Sequence, residues 1–423
     1  MNTEESPTAY NGALLWLGRL TKTDVAYVAS GGFWLGASQI GIGLIAFGVS
    51  IAFAHFVSKD VYGTYRFLLA SFWTITAFTM SGVTSSMARA VARGAEGTYR
   101  QSFPLFIIGC LPMTVIALGG SLYYYLNQNL LLSSGMLLIA LFGTLFQPSY
   151  LFGSFLEGKR AFKMNAASGI VVSIVPALAL LMTMFLSENP LVFFAVYLLS
   201  NVLTGAALSI FMYTFYRPNE VKDPGLLNLS FHMSANNFLA TIAGRIDELL
   251  LFHFLGPASV ATYSFATALP NQVKNLANAV ANIAFPKFAA RPIHEIIPTL
   301  SYRMSLFTLA LAGTTALYWF AAPFLFSIFF PTYTNSIWYS QLFALALIPV
   351  ASIIPQTLLE AHAANKQLYI LNTVGPIMQI GTLFFLITFY GLLGAVIARV
   401  AGRVFNLCLN LVLVNQYAHS KQP

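Results

Sequence analysis

Long apolar runs recur from one end of this chain to the other, separated by short polar turns. They fall near residues 26–54, 62–88, 103–126, 130–156, 165–186, 191–216, 227–255, 260–285, 300–325, 337–361, 367–389 and 392–416. A helix needs about 20 apolar residues to cross the hydrocarbon core, and in lipid every backbone N–H and C=O must find its partner within the segment. The pattern predicts an all-α polytopic membrane protein of about 12 transmembrane helices. Only 8% of the 423 residues are charged, against about 25% in a soluble chain, so a water-soluble fold is excluded. The 37 Phe and 20 Tyr suit lipid-facing helices and interfacial belts.

The basic residues orient the spans. Every second connection is basic: Arg89, Arg93 and Arg100; Lys159, Arg160 and Lys163; Arg217 and Lys222; Lys287, Arg291 and Arg303; Lys366. The others carry almost none, only Lys59 and Arg66 in the first. Positive loops stay inside, so both termini are expected in the cytoplasm and the number of spans is even. The net charge of +8 is accounted for by these loops and gives no reason to expect nucleic acid as a partner. A cleaved signal peptide is not expected, because the first long run follows a polar stretch and exceeds an h-region in length. Residues 13–20 (ALLWLGRL) read as a short interfacial helix anchored by Trp16.

The two halves echo one another. AHFVSKDVYGTYRF at 54–67 aligns with FHFLGPASVATYSF at 252–265, pairing His55 with His253 and Tyr65 with Tyr263. Glu157 and Glu360 end a second echo at a similar offset. Each half holds an even number of spans, so the repeats are parallel, related about an axis along the membrane normal. The expected organisation is a cytoplasmic segment 1–24, a six-helix bundle 25–216, a linker 217–224, a second homologous six-helix bundle 225–417 and a tail 418–423.

Three spans carry polar residues that lipid would not tolerate. The seventh contains Arg245, Asp247 and Glu248, each costing about 2.5–3.5 kcal/mol at the bilayer centre unless it faces protein or water. At 100° per residue, Ser230, Ser234, Asn237, Thr241, Arg245 and Glu248 share one face, whereas Asp247 points to another neighbour. That face is expected to wall a polar pathway. On the eighth span Asn271, Lys274, Asn275, Asn278 and Asn282 line one side. Asn is a poor helix former, so five polar residues on one face predict a cavity wall; the plainer alternative is interhelical hydrogen bonding. On the twelfth, Arg399, Arg403, Asn406 and Asn410 align, either touching substrate or pairing with the seventh span's carboxylates. On the first, Gln39 sits among Gly32, Gly36 and Gly43, a spacing that also serves close helix packing. Cys110 and Cys408 lie in apolar runs and read as packing residues. The histidines lack metal-ligand spacing, and no phosphate loop or nucleophile elbow is present, so no enzyme chemistry is expected.

Four segments resemble a known family. FVSKDVYGTY (56–65) and its second-half copy FLGPASVATY (254–263, with Ala261 in place of the glycine) are similar to a recurring turn of polysaccharide and oligosaccharide flippases. RIDELLL (245–251) resembles their seventh helix, and FLEGKRAFKMN (155–165) the end of their fourth. These flippases belong to the multidrug, oligosaccharidyl-lipid and polysaccharide exporter superfamily. The resemblance implies two six-helix bundles around a central cavity. It also implies alternating access that carries an undecaprenyl-diphosphate-linked oligosaccharide repeat unit, as for O-antigen, to the periplasmic leaflet of a bacterial inner membrane. On that expectation Arg245, Lys274 and Arg403 contact the diphosphate, with Arg399 and Gln39 as further substrate-binding candidates. The amides Asn237, Asn271, Asn275, Asn278 and Asn282 contact sugar, and Asp247 or Glu248 serves proton or sodium coupling. The expected partners are the lipid-linked substrate, membrane lipids and polysaccharide polymerase machinery; the expected state is a monomer without a cofactor.

Two alternatives keep the same sequence features. A cation-coupled multidrug exporter shares the architecture but calls for an acidic cavity. A membrane-embedded polymerase or ligase calls for a large periplasmic loop, and the connections here are short.

Overall fold

The structure, a computed structural model, describes residues 25–420; the expected interfacial helix at 13–20 lies outside them, as do the side chains of 25–33, 35, 278–283, 286 and 287. Twelve helical segments follow one another. They are α1 (Val25–Phe56), α2 (Lys59–Phe78 and Gly82–Ala92), α3 (Thr98–Leu126), α4 (Leu130–Gly158), α5 (Phe162–Leu186) and α6 (Pro190–Tyr216). After the linker come α7 (Leu226–Leu255), α8 (Pro257–Ala289), α9 (Ile293–Phe329), α10 (Pro331–Ala361), α11 (365–390) and α12 (392–420). No strand occurs among the described residues.

Length and apolarity alone qualify eight helices as membrane spans, or nine when the two pieces of α2, bent by 60°, count as one. The 56-residue run Asn365–Ser420 counts once there, yet it reverses at Gly391, whose φ of 59° and ψ of −134° only glycine adopts without strain. The helices that fail the test are α7 and α8, because they carry the polar residues singled out above. Both helices lie where the two bundles meet, against α2.

Helices α1 to α6 pack mainly on one another, α1 on α5 and α3 on α4, and α7 to α12 do the same, with α7 against the α11–α12 hairpin. The two bundles meet where α2 lies against α7 and α8. On the α7 side the contact runs the length of the membrane. Near the basic connections the Gly82 amide donates to Ser234 Oγ (2.9 Å), Arg93 pairs with Asp223 of the linker (2.6 Å), and Phe78 packs edge-on to Phe238. Ser230 and Ser234 thus face α2, so this part of the α7 polar face belongs to the seam between bundles.

At the end opposite the basic connections the seam is tight and aromatic. Tyr62 stacks on Phe265 (4.8 Å), Phe67 on Phe252 (3.9 Å), and Lys59 lies over the Tyr333 ring (5.1 Å). Between α1 and α8, Gly43 lies beside Gln272, and Gln39 and Asn275, nearer the basic end, are exposed. The aromatic contacts join the bundles tightly at the end opposite the basic connections, and at the basic end α2 and the linker hold them together through Ser234 and Asp223.

The repeated turn supplies the closest approach. A Cβ on Gly63 would overlap the backbone carbonyl of Pro257, the first residue of α8. The glycine therefore belongs to the copy that abuts α8, whereas its repeat mate Ala261 buries a methyl completely. Gly63→Ala is expected to destabilise the protein by about 1–3 kcal/mol through overpacking, and Ala261→Gly by about 1 kcal/mol or less. Thermal unfolding in one detergent would check the order; equal losses would contradict it.

Candidate functional site

The site grows from three consecutive turns of α7. Asp247 is 4% exposed, and its carboxylate receives Arg399 of α12 in a two-pronged contact, Nη2 to Oδ1 at 2.7 Å and Nε to Oδ2 at 2.8 Å. The Tyr263 hydroxyl of α8 donates to the same Oδ2 at 2.5 Å. Arg399 Nη2 also donates to the Gly244 carbonyl at 3.0 Å, so this guanidinium is fixed in place by the second bundle alone. Glu248, one residue on, points elsewhere. Its Oε1 accepts from Arg66 Nη2 of α2 at 2.5 Å and from Arg245 Nη1 at 3.3 Å.

Arg403, one turn after Arg399, has no carboxylate partner among the described residues. Its Nη1 donates to the Ala346 carbonyl of α10 (3.1 Å), its Nη2 to Asn271 Oδ1 (3.2 Å), and its guanidinium lies 5.0 Å from the Phe343 ring centroid. Lys274 has no ion-pair partner among the described residues, and the charges that act on it are those of Arg403, Arg399 and Arg245.

Lys274, Arg399 and Arg403 line one cavity of about 340 Å³ within the second bundle, walled by α7, α8, α10, α11 and α12. Ala240, Ala243 and Gly244 give it a wall of small residues on α7, and Gln356, Asn372, Gln379 and Asn406 add amides. The cavity runs from Arg399 toward Asn410, eleven residues and about 16 Å along α12, toward the basic end. Asn410 is buried and its Oδ1 lacks a hydrogen-bond partner.

The sequence candidates divide accordingly. Lys274, Arg399 and Arg403 come together in the cavity; Asn271 stands behind them, holding Arg403. Arg245 lies at the edge, its side chain 45% exposed. Asn237, Asn275 and Gln39 are exposed outside this cavity, and the side chains of Asn278 and Asn282 are outside the described residues. Both candidate coupling carboxylates are ion-paired. Sequence reasoning missed Gln356, Asn372, Gln379 and Tyr263, although each amide was visible as an isolated polar residue in an apolar run. It also counted Arg66 with the first connection, since nothing local to α2 points to Glu248, 182 residues away.

Two six-helix bundles, with a cavity lined by Lys274, Arg399 and Arg403 set into the second, define an all-helical polytopic membrane fold. The model of a family described as polysaccharide biosynthesis protein matches residues 28–290, more than half of the chain, and the protein belongs to that family. Solved structures agree on the fold. An outward-facing multidrug resistance MATE family transporter of the MOP superfamily superposes with a TM-score of 0.67 at 14% identity, covering 92% of this chain and 96% of the other. Its inward-facing counterpart gives 0.61 at 12% identity, covering 92% and 100%. A MOP superfamily transporter from Pyrococcus furiosus, described as having a binding pocket of reverse polarity that suggests a different function, gives 0.65 at 15% identity, covering 93% and 96%. At these identities the likeness is one of helix layout. No curated protein matches the sequence.

Proposed function

We propose that this protein carries an undecaprenyl-diphosphate-linked oligosaccharide from the cytoplasmic to the periplasmic leaflet by alternating access. The observation that carries the reading is an imbalance of charge within the membrane. Among the described residues Arg66, Arg245, Lys274, Arg399 and Arg403 face only Asp247 and Glu248, and the charges acting on Lys274 are those of guanidiniums. An unpaired buried ion carries a desolvation penalty of several kcal/mol, which a bound diphosphate would offset. The same field repels the cationic substrates that a drug exporter must hold. The amides along α10, α11 and α12 suit sugar hydroxyls, and the apolar chain would remain in lipid.

Membership of a polysaccharide biosynthesis family supports a substrate of this class. The aromatic seam at the end opposite the basic connections supports loading from the cytoplasm, where the positive-inside rule places the basic end. Reconstituted into liposomes, the protein is expected to expose a polyprenyl-diphosphate-linked sugar to a lectin or glycosidase on the opposite face faster than protein-free liposomes do. It should not accelerate efflux of a cationic dye. Dye efflux without lipid-linked sugar movement would overturn the proposal.

A further inference from the structure

Asp247 and Glu248 are neighbours in sequence, equally buried, and both ion-paired, yet their partners differ in kind. Asp247 is held by Arg399 and Tyr263, which belong to its own bundle. Glu248 is held across the seam by Arg66 of the first bundle, and Arg66–Glu248 is the one ion pair among the described residues that joins spans of opposite bundles at the end with the aromatic seam. From this difference we infer that Arg66–Glu248 is the latch that keeps the end opposite the basic loops shut, while Asp247 only shapes the cavity. The inference rests on the alternating-access reading but not on the identity of the substrate.

The surroundings suit a latch. Phe67–Phe252 stacks beside it between the same two helices, α2 and α7, and Tyr62–Phe265 joins α2 to α8, so separating the bundles at this end parts the ion pair and the aromatic seam together. The pair is also incompletely satisfied: Arg66 Nε and Glu248 Oε2 are buried without hydrogen-bond partners. Water entering an opening seam would hydrate both groups, so this bond can be broken repeatedly. Arg245 connects the latch to the site. It touches Glu248, is half-exposed, and acts on Lys274 in the cavity. An anion that draws Arg245 toward the cavity leaves Arg66 as the only counter-charge on Glu248.

The test measures distance across the seam in the purified full-length protein without substrate. The exposed native Cys408 is replaced by Ser, and spin labels are placed at Asp60, beside the start of α2, and Leu255, at the end of α7. Wild-type protein is expected to give a predominantly short distance. Arg66→Gln and Glu248→Gln should raise the population at longer distance roughly tenfold, because each removes one partner of a buried pair between bundles. Arg66→Lys, which keeps the charge, should retain most of the short population. Arg245→Gln also takes a cation from Glu248, but from within its own bundle, and should leave the distribution near wild type. An unchanged distribution in Arg66→Gln, or equal opening by Arg66→Gln and Arg245→Gln, would overturn the latch. Should Glu248→Gln fail to fold, the contrast among the Arg66 and Arg245 variants decides alone. Loss of lipid-linked sugar transport with these distances as expected would instead count against the substrate reading.

Discussion

Lys274→Glu is expected to abolish transport while leaving the protein folded. The new carboxylate would stand among Arg399, Arg403 and Arg245, the charges that now surround the ammonium, so the fold gains rather than loses local compensation. The cavity, however, would exchange a cation that has no ion-pair partner among the described residues for an anion. Two unit charges at about 4 Å interact by about 4 kcal/mol at an effective dielectric of about 20. Replacing attraction by repulsion toward a diphosphate should therefore weaken binding by about 100-fold or more, even after water and counter-ions screen part of it. Lys274→Met removes the attraction alone and should fall between wild type and Lys274→Glu. Complementation of a transporter-deficient strain, with membrane abundance measured in parallel, gives the comparison. Normal complementation by an abundant Lys274→Glu protein would remove Lys274 from the site and with it the main argument for an anionic substrate.

The fold was largely readable from the chain because a bilayer leaves few options. Apolar run length set the helices, and the alternation of basic loops set their pairing into hairpins. The echo between FVSKDVYGTY and FLGPASVATY marked two related halves, and the structure places those two turns against each other at Gly63 and Pro257. The site was readable only where helical periodicity is informative. Periodicity put Lys274 on one face of α8 and Arg399 and Arg403 on one face of α12, and it separated Asp247 from Glu248 by direction. It could not say which neighbour each face meets. The α7 face was expected to wall the pathway, but its Ser230 and Ser234 pack on α2, and the cavity is walled by Ala240, Ala243 and Gly244. Small residues carry no signal for a cavity in one dimension, since the same spacing serves close helix packing. The Arg66–Glu248 pair depends on how two bundles dock, which no local pattern encodes.

The second large effect concerns Asp247, whose loss should harm stability more than that of any cavity cation. Asp247→Ala leaves Arg399 within the membrane with no carboxylate and leaves the Tyr263 hydroxyl without its acceptor. Breaking a buried pair from one side typically costs about 3–5 kcal/mol, because the survivor keeps its desolvation penalty. The expected result is a strongly lowered midpoint of thermal unfolding in detergent. Removing both charges should be far milder: Asp247→Ala combined with Arg399→Leu should recover most of the lost stability, and the coupling between the two changes should exceed about 2 kcal/mol. Transport should not recover with it, since the double variant lacks one of the three cations lining the cavity. A double variant that restored both stability and transport would make Arg399 purely structural and confine substrate contact to Lys274 and Arg403. One that restored neither would show that Asp247 acts through a partner other than Arg399, against the two-pronged contact at 2.7 and 2.8 Å.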